Sequence, residues 1–157
     1  MPRRIVIIGA HAAGVDAAVA ARKTDRTAEI TLLTTEKRAG YSRCGIPFVL
    51  GKHIPKFNDL IVYPPGFYKM MKLNIQYETT ATSIDTEAKT VEIQGKAGKR
   101  EKLEYDSLII ATGASPFVPP IKGREKQGVY VVRTLEDGEK IEEAIKTAKS
   151  AVVIGAG

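Results

Sequence analysis

Short aliphatic runs alternate with glycine turns at the start of the chain. Residues 4–8 (Arg-Ile-Val-Ile-Ile) are almost continuously apolar, the pattern of a strand covered on both faces. Gly9 follows at once, and residues 12–23 are alanine-rich and free of proline, a strong helix former. Residues 29–33 predict a second strand. Strand, glycine turn, helix and strand within about 30 residues make a βαβ unit, so the two strands are expected to be parallel with a right-handed crossover.

From residue 40 to 68 glycine, proline and aromatic residues break any period, and short helices are expected near residues 44–50 and 65–71. The period then becomes two. Residues 74–77, 80–84, 90–94 and 102–105 alternate apolar and polar, separated by Asp85-Thr86-Glu87 and a glycine tip at 95–98. They predict an antiparallel meander inserted into the parallel sheet. Leu108-Ile109-Ile110-Ala111 returns to a buried strand, ended by Gly113. After a proline-bearing loop, Thr134 opens a helix through a Thr-x-x-Asp box with Asp137. Glu136, Asp137 and Glu139 fill its first turns, and Lys146 and Lys149 its last, as the helix dipole favours. Ala151-Val152-Val153-Ile154-Gly155-Ala156-Gly157 repeats the opening strand and glycine turn.

The fold class expected is therefore α/β: a Rossmann-like parallel sheet with an inserted antiparallel meander. Residues 1–114 form its first dinucleotide-binding segment, 115–150 a connecting loop and helix, and 151–157 the first strand and turn of a second, truncated nucleotide-binding domain. A βαβ unit stopping at its turn suggests a fragment of a longer protein; a complete chain with a frayed tail is the plainer alternative.

With 157 residues there is room for one sizeable core, and 43% hydrophobic with 27% charged residues argues against disorder. No apolar run approaches the roughly 18–20 residues of a membrane span, and the first residues lack a signal-peptide pattern. A single cysteine excludes an internal disulfide framework and a cysteine-rich zinc site, so no metal is expected and a soluble, cytoplasmic protein is the default. The net charge of +6 favours anionic partners: phosphorylated cofactors, acidic substrates or, non-specifically, nucleic acid. Only residues 95–100 with Lys102 are densely basic, and their place between two β-runs makes them a solvated hairpin tip rather than a phosphate-tracking patch.

The first glycine segment, Gly9-Ala10-His11-Ala12-Ala13-Gly14, keeps the first and third glycines of the G-x-G-x-x-G dinucleotide fingerprint between a strand and a helix. Gly9 suits the tight turn and Gly14 close helix–strand packing, while the helix N-terminus faces a pyrophosphate. His11 replaces the middle glycine, so its side chain must point aside; it is either a tolerated substitution or a group near the cofactor. The acid that ordinarily holds the ribose at the end of the second strand is replaced by Thr34, with Glu36 two residues on as the alternative ribose ligand or a surface glutamate. In Tyr41-Ser42-Arg43-Cys44-Gly45-Ile46-Pro47-Phe48 the lone thiol opens a short helix beside an arginine, both features that favour a nucleophilic thiolate.

The order Gly9-x-x-x-x-Gly14, Ser42-x-Cys44-Gly45-x-Pro47, Ile109-Ile110-Ala111-Thr112-Gly113-Ala114 and a second strand–Gly-x-Gly resembles, along the whole chain, the flavin-dependent pyridine nucleotide-disulfide oxidoreductases. More closely it resembles their single-cysteine branch, the coenzyme A disulfide reductases and NADH oxidases or peroxidases. The resemblance implies an FAD-binding first domain, an NAD(P)H-binding second domain and a third that forms a homodimer. It implies that electrons pass from nicotinamide through flavin to Cys44, the redox nucleophile, which reduces a small disulfide, oxygen or peroxide. Ala111, Thr112 and Gly113 would then form a turn near FAD, Ser42 and Arg43 would line the flavin or substrate site, and Arg22 and Lys23 would meet coenzyme A phosphates or simply cap their helix. A single cysteine excludes a dithiol mechanism within this segment, and the segment alone is expected to show no turnover and to hold FAD weakly. The competing class is a nucleotide-binding module or electron-transfer partner reductase whose cysteine is not catalytic; nucleic-acid binding comes third. His53 reads as a surface residue and Tyr63 to Tyr68 as packing.

Overall fold

The computed structural model describes residues 1–64 and 66–155. In chain order the elements are β1 (Arg4–Ile8), α1 (Ala12–Thr24), β2 (Glu29–Leu33), a 3-10 turn (Arg43–Gly45), α2 (Ile46–Leu50), a second 3-10 turn (Phe57–Leu60), α3 (Phe67–Met70), β3 (Leu73–Gln76), β4 (Thr80–Asp85), β5 (Thr90–Gln94), β6 (Arg100–Glu104), β7 (Ser107–Ile110) and α4 (Leu135–Ile145). They fall into two compact units: Met1–Tyr41 with Ile61–Gly113, and Ser42–Leu60 with the chain from Ala114 onward. The sequence draws residues 1–114 as one segment. Residues 42–60 group instead with the later chain, because α2 and the Phe57–Leu60 turn pack against α4.

The first unit is built on a parallel sheet of order β3-β2-β1-β7. Ile5, Ile7, Ile30 and Leu32 pack with Val15 and Ala18 of α1. Val6 and Leu33 pack on the other face with Val91 and Ile93 of β5, in the antiparallel sheet β4-β5-β6, and with Tyr105 just after β6. Coverage on both faces is why β1 is aliphatic at successive positions. Each such large side chain contributes roughly 1.5–3 kcal/mol on full burial. The dense basic tip joins β5 to β6, and its lysines are neutralised locally: Lys96 pairs with Glu78 at 2.8 Å, Lys99 with Glu101 at 2.5 Å and Lys102 with Glu92 at 3.7 Å.

Three features of this unit depart from expectation. Residues 73–76 are not the first strand of the meander but a parallel edge strand beside β2. Alternation reports that one face is buried, and says nothing about the direction of pairing. β7 is also an edge among the described residues, and Ile110 is 64% exposed rather than buried. The helix expected at 65–71 is the single turn α3, with Pro65 outside the described residues.

In the second unit Ile46 and Val49 of α2 and Leu135 of α4 are fully buried. Gly138 gives α4 its close approach: a Cβ there would stand 2.6 Å from the Phe57 ring. The expected capping box is present, with Thr134 Oγ1 accepting from the Asp137 amide at 3.2 Å and the Asp137 carboxylate accepting from the Thr134 amide at 2.9 Å. α4 ends at Ile145, so Lys146 and Lys149 lie beyond its last turn; Lys146 pairs with Glu143. Residues 151–154 form no strand, and Val152, Val153 and Ile154 are exposed. An apolar run becomes a strand only where a neighbour accepts its hydrogen bonds, and none lies alongside among the described residues. Ala156 and Gly157, the rest of the expected second glycine turn, lie outside the described residues. No helix among the described residues is long and apolar enough to cross a membrane.

Candidate functional site

The loop after β1 depends on two absent side chains. Gly9 has φ +118°, and a Cβ on it would fall 2.1 Å from the Ala111 carbonyl oxygen. A Cβ on Gly14 would fall 1.9 Å from the Gly9 carbonyl oxygen. Hydrogen bonds complete the junction: Gly9 N–H donates to Leu33 O at 2.9 Å and Ala111 N–H to Ile8 O at 2.8 Å. The fold thus brings the Gly9–Gly14 loop together with the segment Ala111-Thr112-Gly113, which is separated from it by about a hundred residues of chain. Thr112 and Gly113 are exposed, whereas Ala10 is fully buried.

α1 begins here with exposed Ala12 and Ala13, no side-chain cap at His11 and no acid in its first turn. Uncapped amides at the positive end of a helix dipole attract an anion, and no carboxylate opposes one in that turn. These residues fit the diphosphate of a dinucleotide.

His11, in the position of the missing glycine, does point aside. Its backbone is extended (φ −113°, ψ −158°), and its Nε2 lies 2.9 Å from Glu36 Oε1. The Tyr41 hydroxyl donates to Glu36 Oε2, and the His11 and Tyr41 rings meet edge to face at 4.6 Å. Thr34 is buried, and its hydroxyl accepts the Glu36 amide at 3.2 Å, so Thr34 shapes the turn that delivers Glu36. Tyr41 is the residue that sequence reading missed: in a loop without periodicity nothing signals that it and Glu36 converge on His11.

Arg22 is tied into the fold. Its Nε donates to Met71 O at 2.9 Å, Nη2 to Lys72 O at 2.9 Å, and Nη1 to Asp25 O at 3.3 Å and Arg26 O at 2.9 Å. The guanidinium clamps the end of α1 to the turn before β3, a fuller role than the helix-dipole pairing that sequence alone suggests. Lys23 is exposed. Tyr63, Phe67 and Tyr68 pack as an aromatic cluster, Tyr63 stacking on Phe67 at 4.3 Å. Burial pushes the Tyr68 phenol up to about 12, with Tyr77 and Tyr63 adding to the shift.

In the second unit, Cys44 is a free, exposed thiol in the middle of the Arg43–Gly45 turn. Ser42, also exposed, anchors the turn through its amide to Leu60 O at 2.8 Å, and its own carbonyl accepts the Gly45 amide at 3.2 Å. Gly45 is required by contact: a Cβ there would lie 2.3 Å from Leu60 Cδ2. α2 follows at once with Pro47 in its first turn, where the missing amide hydrogen costs nothing. Arg43 is partly buried, and His53 is exposed, with its ring beside Phe48. Among the described residues no cluster of His, Cys, Asp and Glu could hold a metal ion.

The chain is similar to known proteins over nearly its whole length. The chain is 40% identical over 157 residues to an NADH oxidase of Methanocaldococcus jannaschii, covering 98% of this chain and 35% of that protein. It is 28% identical over 160 residues to a coenzyme A disulfide reductase of Staphylococcus haemolyticus, covering 99% and 36%. It superimposes on the solved structure of an NAD-dependent persulfide reductase from A. fulgidus with a TM-score of 0.86 and 36% identity, over 91% of this chain and 28% of that one. The chain thus spans about a third of the length of these relatives. The family described as pyridine nucleotide-disulphide oxidoreductase matches residues 3–157. With a match over almost its entire length, this chain belongs to the pyridine nucleotide-disulphide oxidoreductase family.

Proposed function

We propose that this chain carries the FAD-binding segment and the redox cysteine of an NAD(P)H-dependent oxidoreductase that reduces a small disulfide, with oxygen or peroxide as the alternative acceptor. FAD and NAD(P)H are the cofactor and co-substrate that family membership implies. The observation that carries the reading is the exposed thiol of Cys44, the only cysteine in a chain that also holds a dinucleotide-type glycine loop.

The residues divide the work. Gly9, Ala10, Ala12, Ala13 and Gly14 give the diphosphate its backbone cradle, and Thr112 and Gly113 border it. Glu36 and His11 flank the cradle, and Thr34 shapes the turn that carries Glu36. Ser42 and Arg43, the two residues before Cys44, line the flavin or substrate site. Lys23, exposed at the end of α1, is the better candidate of the two basic residues for a phosphorylated substrate, since Arg22 already serves four carbonyls. Bound FAD supplies two-electron exchange with the nicotinamide. The Cys44 thiolate attacks one sulfur of the substrate disulfide, forms a mixed disulfide and releases the other sulfur as thiolate. Two electrons and one proton then return Cys44 to thiolate and release the second half of the substrate as thiol. Both the location, in the cytoplasm, and the homodimer belong to this reading.

Replacing Cys44 by Ser in the full-length protein tests it. NAD(P)H-dependent disulfide reduction is expected to fall by at least about a hundred-fold, since removing a nucleophile costs several orders of magnitude in rate, while bound flavin and its reduction by NAD(P)H persist. Unchanged disulfide reduction would instead favour an electron-transfer reductase with a bystander cysteine.

A further inference from the structure

We propose that Gly40 is a positioning residue for the diphosphate of FAD: its N–H holds the carbonyl of Ala10, and so turns the N–H of the next residue, His11, to join the open amides at the start of α1. This rests on the reading of the Gly9–Gly14 loop as a dinucleotide site. It adds one donor to that site and names the group that aims it.

α1 begins with four donors that lack a partner. Its first hydrogen bond runs from Val15 N–H to His11 O at 2.8 Å, so the N–H groups of His11, Ala12, Ala13 and Gly14 find none within the helix. None of the four donates elsewhere among the described residues. α4 meets the same need with side chains: Asp137 accepts the Thr134 amide at 2.9 Å, and Thr134 Oγ1 accepts the Asp137 amide at 3.2 Å. In α1 the position of Asp137 is taken by Gly14, where the Gly9 carbonyl leaves no room for a side chain. The His11 side chain is drawn off to Glu36 and caps nothing.

One contact sets the direction of the His11 donor. Gly40 N–H donates to Ala10 O at 2.9 Å. The Ala10–His11 peptide is trans and planar, so its N–H points opposite to that carbonyl. Turning this peptide over would break the bond from Gly40, orphan the carbonyl of a fully buried residue, and replace the N–H with an oxygen that repels an anion. Gly40 is itself held. Its carbonyl accepts Val62 N–H at 2.9 Å. Its φ of +62° is left-handed, and a Cβ there would stand 2.0 Å from Tyr68 Oη and 2.9 Å from Tyr63 Cδ2. The aromatic cluster is therefore the wall that fixes Gly40, and glycine is the residue that fits against it.

The test uses full-length protein stripped of flavin, with FAD as the probe. Carbon-13 and nitrogen-15 spectra of the free protein are expected to show a coupling across the hydrogen bond from the Gly40 nitrogen to the Ala10 carbonyl carbon. On addition of FAD, the amide protons of His11, Ala12 and Ala13 are expected to move downfield together. Replacing the Gly40 amide by an ester, with glycolic acid in place of glycine, removes the donor without adding a side chain. That variant is expected to bind FAD about tenfold more weakly, the scale of one hydrogen bond. It should also lose the His11 shift while keeping those of Ala12 and Ala13. A Gly40 N–H that only stabilised the fold would lower the urea midpoint and leave FAD affinity and the His11 shift unchanged, which overturns the proposal. So does wild type in which the Gly40 coupling is absent, or in which FAD moves the Ala12 and Ala13 amides but not that of His11; the dinucleotide site then stands without it. Folded wild type whose loop amides do not respond to FAD overturns both. The wild-type spectra decide the matter even where the ester variant does not fold.

Discussion

Gly9 and Gly14 face each other across a gap that no side chain fits, since a Cβ on Gly14 would meet the Gly9 carbonyl at 1.9 Å. The obstacle is backbone, which cannot swing away. Gly14→Ala is therefore expected to cost about 2–3 kcal/mol in a denaturant titration, at the upper part of the range for overpacking. Tyr68 makes a different prediction. Its phenol ionises near 10.0 in the unfolded chain and is pushed up to about 12 in the fold, mainly by burial. Between those values the folded state holds the proton more firmly, so stability is complete below pH 10 and falls as pH rises towards 12. The loss is on the order of 2 kcal/mol. Tyr68→Phe should flatten it, as read from urea midpoints at pH 8, 10 and 11. The buried hydroxyl has no hydrogen-bond partner among the described residues, so the same variant should cost little at neutral pH.

At the scale of elements, local chemistry and long-range pairing separate cleanly. The Thr134–Asp137 box is written within four residues, and the helix begins where they say. Thr134→Ala should cost about 1 kcal/mol, and Thr134→Ser much less, by chemical denaturation. Arg22 shows the opposite case. Two of its four carbonyl acceptors belong to Met71 and Lys72, about fifty residues away in sequence. Arg22→Lys keeps the charge but cannot span those acceptors, and is expected to lower stability by about 1–3 kcal/mol, measured by thermal unfolding. β3 belongs with Arg22: its alternating pattern is plain, but its parallel partner β2 is chosen by the crossover, not by the alternation.

For the molecule as a whole, the division into two units puts Cys44 in a segment that departs from the first unit after Tyr41 and returns at Ile61. Its thiol is exposed and unpaired by any disulfide. One thiol per chain should therefore react with Ellman's reagent in native buffer, to the same final extent as in denaturant; a buried, unreactive sulfur would contradict the redox assignment.

Residue order alone determined the βαβ opening, the glycine loop, the capped helix α4 and the lone thiol in its short turn, because each is set by neighbours within a few residues or by one turn of helix. Tertiary structure decided the rest. It set the direction and edge position of β3 and β7, the absence of a strand at 151–154, the clamp of Arg22, and the meeting of His11, Glu36 and Tyr41. Those outcomes depend on which hydrogen-bonding groups find partners across the chain, and local pattern carries no record of a distant partner.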